Sequence, residues 1–144
     1  HISQGYWRDS AATAGAFLGA LFRTGDIGHQ DEDGHFWVDD RKKDMIISGG
    51  ENIYPAELEA VLETDATIAE AAVVARPDEK WGEVPVAIVV PRAGAVIDPA
   101  AVKARFVGRL AKFKHPHDVV VVDALPRNAM GKVLRYVLRE TLRG

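Results

Sequence analysis

Apolar positions along this chain change their period near residue 43. Before it they come in short bursts between glycines and acids. Residues 27–30 and 36–39 flank Asp31-Glu32-Asp33-Gly34, and Asp-Gly between two apolar segments predicts a hairpin. Residues 13–21 read as a short helix weakened by Gly15 and Gly19. After residue 43 the pattern runs strand, helix, strand, strand, helix, strand, helix. Met45-Ile46-Ile47 is a short strand. Residues 55–63 form a helix that opens on Pro55, with Leu58, Val61 and Leu62 on one face. Residues 69–75 and 84–91 are strands rich in Val, Ile and Ala. Residues 99–110 form a helix with Asp98 as N-cap. Residues 118–122 are a β-branched strand, and residues 132–142 a helix striped by Val133, Leu134, Val137, Leu138 and Leu142.

This order predicts an α+β fold: a small, mostly antiparallel sheet flanked by helices, preceded by a short β-rich segment. The domain boundary is expected between residues 1–43 and 44–144.

Composition narrows the function more by exclusion than by indication. With 47% hydrophobic and 27% charged residues the chain has an ordinary globular balance. A net charge of −3 offers no bulk attraction to nucleic acid or to an anionic membrane. No cysteine is present, which removes disulfides, thiolate metal sites and cysteine nucleophiles. The five histidines are scattered, and His115-Pro116-His117 is too short and proline-broken for a usual metal motif, so no metal ligand is assigned. No apolar stretch is long enough to span a bilayer. The opening His1-Ile2-Ser3-Gln4-Gly5-Tyr6 lacks the basic head and apolar core of a signal peptide, and a fragment or processed chain in the cytoplasm is expected. No GxSxG elbow and no Walker-type phosphate loop occur.

Four segments carry candidate chemistry. In Thr24-Gly25-Asp26 a short carboxylate follows a turn glycine, and its two oxygens could accept from a ribose diol. In Asp40-Arg41-Lys42-Lys43-Asp44 a charge run falls on the domain boundary, where an ever-charged guanidinium could hold a ribose or phosphate oxygen. In Ser48-Gly49-Gly50-Glu51-Asn52-Ile53-Tyr54-Pro55 paired glycines between a strand and a helix permit close approach of a ligand or backbone. In Pro126-Arg127-Asn128-Ala129-Met130-Gly131-Lys132 a loop ends on a lysine that is expected to open the last helix. There its charge opposes the helix dipole, a local violation of the kind that function tolerates. Each segment alone also fits a bland reading: a turn aspartate, a solvated charge run, a strand-to-helix turn, a surface lysine.

Together, in this order and spacing, the segments resemble the adenylate-forming superfamily of acyl-CoA synthetases, luciferases and peptide-synthetase adenylation domains. The run from Arg41 to Glu59 is the most specific part, joined by Phe22-Arg23-Thr24-Gly25-Asp26, by Pro77-Asp78-Glu79-Lys80-Trp81-Gly82-Glu83 and by the Lys132 segment. The resemblance implies an acyl-CoA ligase acting on fatty or aryl acids. Such an enzyme joins an acid to CoA through an acyl-adenylate, consuming ATP with Mg2+ and releasing pyrophosphate and AMP. It implies a large domain followed by a lid that rotates between the half-reactions. By position, Lys132 resembles the adenylation lysine, Asp26 and Arg41 the nucleotide-binding pair, and Lys43 the hinge. Gly50 resembles the glycine beside the CoA tunnel, with Trp81 and Phe113 near CoA. The family's phosphate-binding segment and acyl pocket lie upstream of the matched region, so the 144 residues alone are expected to be inactive and to hold no nucleotide tightly. A peptide-synthetase adenylation domain and a non-catalytic interaction domain remain as alternatives.

Overall fold

The structure, a computed structural model, describes residues 5–143, with the side chains of Asp39 and Asp40 outside that description. The reading of the amino terminus from His1, and the Asp40 side chain of the charge run, therefore lie outside the described residues. The chain divides into two compact units, His1–Lys43 and Asp44–Gly144.

In the first unit, helix α1 (Ser10–Ala16) starts where Asp9 accepts the Ala12 N–H at 2.8 Å. Strands β1 (Phe17–Leu18) and β2 (Leu21–Phe22) follow as a tight hairpin that turns at Gly19, φ +60°. The helix expected over residues 13–21 is thus shifted. The Asp9 cap begins it earlier, and a turn replaces its second half. Strands β3 (Asp26–Gln30) and β4 (Phe36–Arg41) pair antiparallel, forming the expected hairpin. Asp31 closes it, accepting the N–H groups of Asp33 and His35 and the indole N–H of Trp37. No residue of α1 is buried, and Trp7, Leu21, Phe36 and Val38 are each at least 70% exposed.

The second unit opens with β5 (Ile46–Ser48) and β6 (Glu51–Ile53), joined by Gly49 and Gly50 at φ +59° and +87°. Two consecutive positive φ values are what a two-residue hairpin turn of the twist-matched type requires, and glycine supplies them without a Cβ penalty. The glycine pair is therefore a β-hairpin turn and not a strand-to-helix turn. Strand β6 escaped the sequence reading because Glu and Asn are poor strand formers. Helix α2 (Pro55–Glu63) has the expected bounds. Strands β7 (Ile68–Asp78) and β8 (Gly82–Pro91) form one long antiparallel hairpin, extending the expected strands. Helix α3 (Pro99–Ala104) is capped by Asp98 as expected but ends early. The N–H groups of Arg105, Phe106 and Val107 bond three residues back, tightening the chain, and Gly108 at φ +76° turns it away. A 3-10 turn (Lys112–Lys114), strand β9 (Asp118–Val121) and helix α4 (Arg135–Thr141) complete the unit.

The sheet runs β6-β5-β8-β7, with β9 parallel to β8 along Val86–Val89; every other pairing is antiparallel. This is the expected α+β class. Alternate residues of β7 and β8 point to opposite faces, and both faces are covered. Val73, Ala87 and Val89 pack with Leu58 and Leu62 of α2 and with Val102 and Phe106. Ala72, Val74, Val86 and Ile88 pack with Leu125 and Leu138 of α4. Burial on both faces is why β8 reads as an unbroken apolar run.

Candidate functional site

In the first unit Asp26 and Arg41 are register partners across the β3–β4 hairpin. Arg41 Nε lies 2.8 Å from Asp26 Oδ1, an ion pair between a half-exposed guanidinium and a largely buried carboxylate. The Asp26 N–H donates to Thr24 Oγ1 at 3.1 Å, so the threonine ahead of the turn holds the aspartate backbone. The structure thus brings together two residues fifteen positions apart in the sequence. Lys43 is exposed and ends the unit. Asp44, the first residue of the next unit, is anchored, with Oδ1 3.3 Å from Arg139 Nη1 and Oδ2 4.0 Å from Arg135 Nε.

The second unit contains an open groove of about 640 Å³ whose lining includes Gly49, Trp81, Lys112, Phe113, His115 and His117. Trp81 and Phe113, thirty-two positions apart, face this one space. The Trp81 loop is held by Asp78, whose Oδ1 accepts the Trp81 and Lys80 N–H groups, each at 2.9 Å. The Trp81 N–H, the largest influence, holds the Asp78 carboxyl below the usual carboxylate range against the opposing effect of burial, with the Lys80 N–H adding in the same direction. The Gly49 N–H donates to the Trp81 carbonyl at 2.8 Å. A Cβ on Gly49 would stand 2.8 Å from the Trp81 ring, whereas one on Gly50 would meet nothing within 4 Å. Gly49, and not Gly50, is therefore the glycine packed against the groove wall. Lys114 fixes the turn that presents Phe113, its ammonium 2.5 Å from Glu57 of α2. His117 takes its place beside β8 through its N–H, which donates to the Pro85 carbonyl at 2.7 Å.

Sequence reasoning set His115 and His117 aside as a failed metal motif and missed them as groove residues. Their alternation with Pro116, one residue before a β-branched strand, was the available signal. The acidic turn of the first unit places ligand atoms of Asp31, Asp33 and His35 within 4.8 Å of one another. The Asp31 carboxylate is occupied there by the hydrogen bonds that close the hairpin.

Lys132 does not open a helix. Its segment is a hydrogen-bonded loop closed by an antiparallel bridge between Arg127 and Val133, and α4 begins three residues later, at Arg135. The bridge at Val133 and the start of α4 only at Arg135 leave Lys132 ahead of the helix, which removes the helix-dipole reason for singling it out. Its side chain is exposed and, among the described residues, forms no hydrogen bond or ion pair. It is not among the residues that line the groove. No helix among the described residues is long and apolar enough to cross a membrane.

Indoleacetate–CoA ligase of Aromatoleum aromaticum is 52% identical over 97% of this chain, and 2-succinylbenzoate–CoA ligase of Geobacillus kaustophilus is 49% identical over 99% of it. The chain spans 28% and 29% of the length of these two relatives. Among solved structures, ATP-bound MatB from Rhodopseudomonas palustris matches with a TM-score of 0.89 at 45% identity, covering 96% of this chain and 28% of that one. o-Succinylbenzoate CoA synthetase from Bacillus subtilis, in complex with the acyl-adenylate intermediate OSB-AMP, matches at 0.87 and 42%, covering 94% and 28%. The family model of the AMP-binding enzyme C-terminal domain matches residues 57–132. The chain, through its second unit, belongs to the AMP-binding enzyme C-terminal domain family.

Proposed function

We propose that this chain is the carboxy-terminal part of an ATP-dependent acyl-CoA ligase. Residues 44–144 are its lid, and residues 1–43 are the end of its large domain. The reaction joins a carboxylic acid and CoA through an acyl-adenylate, releasing pyrophosphate and then AMP. The observation that carries this reading is the near-complete match to CoA ligases acting on dissimilar acids: indoleacetate, 2-succinylbenzoate and long-chain fatty acids. What those three relatives share by name is CoA. This chain is 49–52% identical to each of the three, and a stretch matched to ligases of such different acids is suited to the common thiol substrate and the nucleotide, not to choosing the acid.

The residues fit those ligands chemically. Trp81 and Phe113 offer π-faces for a purine, and Lys112 offers a cation for a phosphate. Gly49 and Gly50 leave the hairpin tip without side chains where a slender thiol arm would pass. Arg41 fixes the Asp26 carboxylate in the orientation that a ribose diol would meet. Lys132, with no protein partner for its ammonium among the described residues, neutralises the approach of two anions, the acid and the α-phosphate. Lys43 is the hinge, supported by the anchoring of Asp44 immediately after it. No residue of this chain is assigned to Mg2+. The exposed apolar side chains of the first unit, Trp7, Leu21, Phe36 and Val38, support a larger domain that covers them.

Two measurements test this. The full-length protein should catalyse acid-dependent pyrophosphate–ATP exchange and form acyl-CoA. The 144-residue chain alone should do neither. Exchange by the isolated chain, or a full-length protein that binds neither AMP nor CoA in calorimetry, would overturn it.

A further inference from the structure

The loop that carries Lys132 has a frame of its own, built on one side chain. Asn128 Oδ1 accepts the Lys132 N–H at 2.9 Å and the Met130 N–H at 3.0 Å. The Asn128 N–H donates to the Lys132 carbonyl, and the Asn128 carbonyl accepts from the Gly131 N–H, both at 2.9 Å. The polar backbone groups and the side-chain oxygen of residue 128 are thus all engaged with residues 130–132. Arg127 ties the loop down from outside. One guanidinium nitrogen donates to the Gly131 carbonyl at 2.5 Å, and the other is paired with Glu70 on β7.

Lys132 has no such restraint on its ammonium, so the direction its long side chain takes is set by where its backbone is held. Small errors at the Cα grow along four methylenes, and displacement of a catalytic group by about 1 Å can cost roughly 10²-fold in rate.

We infer that Asn128 is a positioning residue for Lys132: by accepting the lysine's own N–H it fixes the point from which the ammonium reaches the reacting carboxylate and α-phosphate. This rests on the proposed role of Lys132 in adenylation. Asn128 touches no substrate and acts through the backbone of Lys132. It is exposed on a surface loop and belongs to neither core cluster, so its loss should leave global stability nearly unchanged.

The test compares Asn128→Ala, which removes the acceptor, with Asn128→Asp, which keeps it. In the full-length ligase, Asn128→Ala should lower the kcat of pyrophosphate exchange by about 10- to 100-fold, with little change in the KM for ATP. Thioester formation from preformed acyl-adenylate should stay within about twofold, and Asn128→Asp should restore most of the exchange. In the 144-residue chain, hydrogen exchange at the Lys132 and Met130 amides should be slow in the parent and in Asn128→Asp, and fast in Asn128→Ala, while core amides do not move. Parent-like pyrophosphate exchange in Asn128→Ala, alongside its loss in Lys132→Ala, would overturn the positioning role alone. Equal loss in both half-reactions would reduce Asn128 to a general structural residue and overturn it too. A parent enzyme without any pyrophosphate exchange would instead sink the reading on which the role rests.

Discussion

The guanidinium of Arg135 forks onto the Glu59 carboxylate, with Nη1 2.6 Å from Oε1 and Nη2 2.9 Å from Oε2. The same pair serves the backbone of Val73: Glu59 accepts its N–H at 2.7 Å and Arg135 donates to its carbonyl at 2.8 Å. β7 is an edge strand, and here two side chains take the place of the neighbouring strand it lacks. Removing one partner leaves a mostly buried charge and a backbone carbonyl unmatched. Arg135→Ala should lower the unfolding free energy of the chain by about 2–3 kcal/mol in urea titration. Arg135→Lys should recover only part, because an ammonium cannot make the fork. An Arg135→Ala midpoint equal to the parent's would show that solvent replaces the pair without cost.

The two glycines of the β5–β6 turn should behave differently. Both sit at positive φ, so alanine costs about 1–2 kcal/mol in conformation at either position. At Gly50 that is the whole penalty, since the added methyl meets open space. At Gly49 the methyl also drives into the Trp81 ring. Gly49→Ala should therefore be the less stable variant and should impair thioester formation more than pyrophosphate exchange. Identical melting of the two variants would show that the Trp81 loop yields freely.

Lys132→Ala in the full-length ligase should reduce acyl-adenylate formation by at least about 10²-fold, the usual consequence of deleting a charge-stabilising donor. Transfer from supplied acyl-adenylate to CoA should be much less affected. Equal losses in the two half-reactions, read by rapid quench, would remove Lys132 from the adenylation step.

Acid should weaken the second unit through its buried carboxylate. Burial alone would raise the Asp65 pKa, but hydrogen bonds from Thr67 and the charge and hydrogen bond of Arg105 outweigh it and set the folded value below the usual range. A depressed folded pKa means stability that is complete above the unfolded value of about 3.9 and is lost as pH falls through the folded one. Asp118, opposed by burial and lowered chiefly by Arg76, adds in the same direction. Between pH 6 and roughly pH 2.5 the parent should lose stability more steeply than Asp65→Asn, measured by denaturant midpoints. Parallel curves would mean that Asp65 gains nothing from its partners.

Legibility in the sequence followed the range of the interactions. Helix α2 could be bounded because Pro55 and the Leu58, Val61, Leu62 stripe are local signals. Strands β7 and β8 stood out because burial on both faces makes them apolar throughout. The ends of α1, α3 and α4 were misplaced where a neighbour overrides propensity. Asp9 caps α1 early, bonds three residues back tighten the end of α3, and the Arg127–Val133 bridge comes before α4, which starts only at Arg135. In the site, a motif could nominate Asp26, Arg41, Trp81 and Phe113 one by one. Only the register of β3 with β4 pairs the first two, and only the fold of the second unit puts the last two on one groove. That Gly49 packs against Trp81 while Gly50 meets open space depends on a through-space contact, which no spacing rule encodes.

That contact has an optical consequence. The indole of Trp81 packs against the Gly49 turn, has the ammonium of Lys80 4.8 Å from its ring centroid, and forms part of the groove wall. Whatever enters the groove changes the polarity and solvent access around this ring. The chain's other two indoles, Trp7 and Trp37, both belong to the first unit. With those two replaced by phenylalanine, the ultraviolet emission of Trp81 becomes a built-in, label-free gauge of groove occupancy.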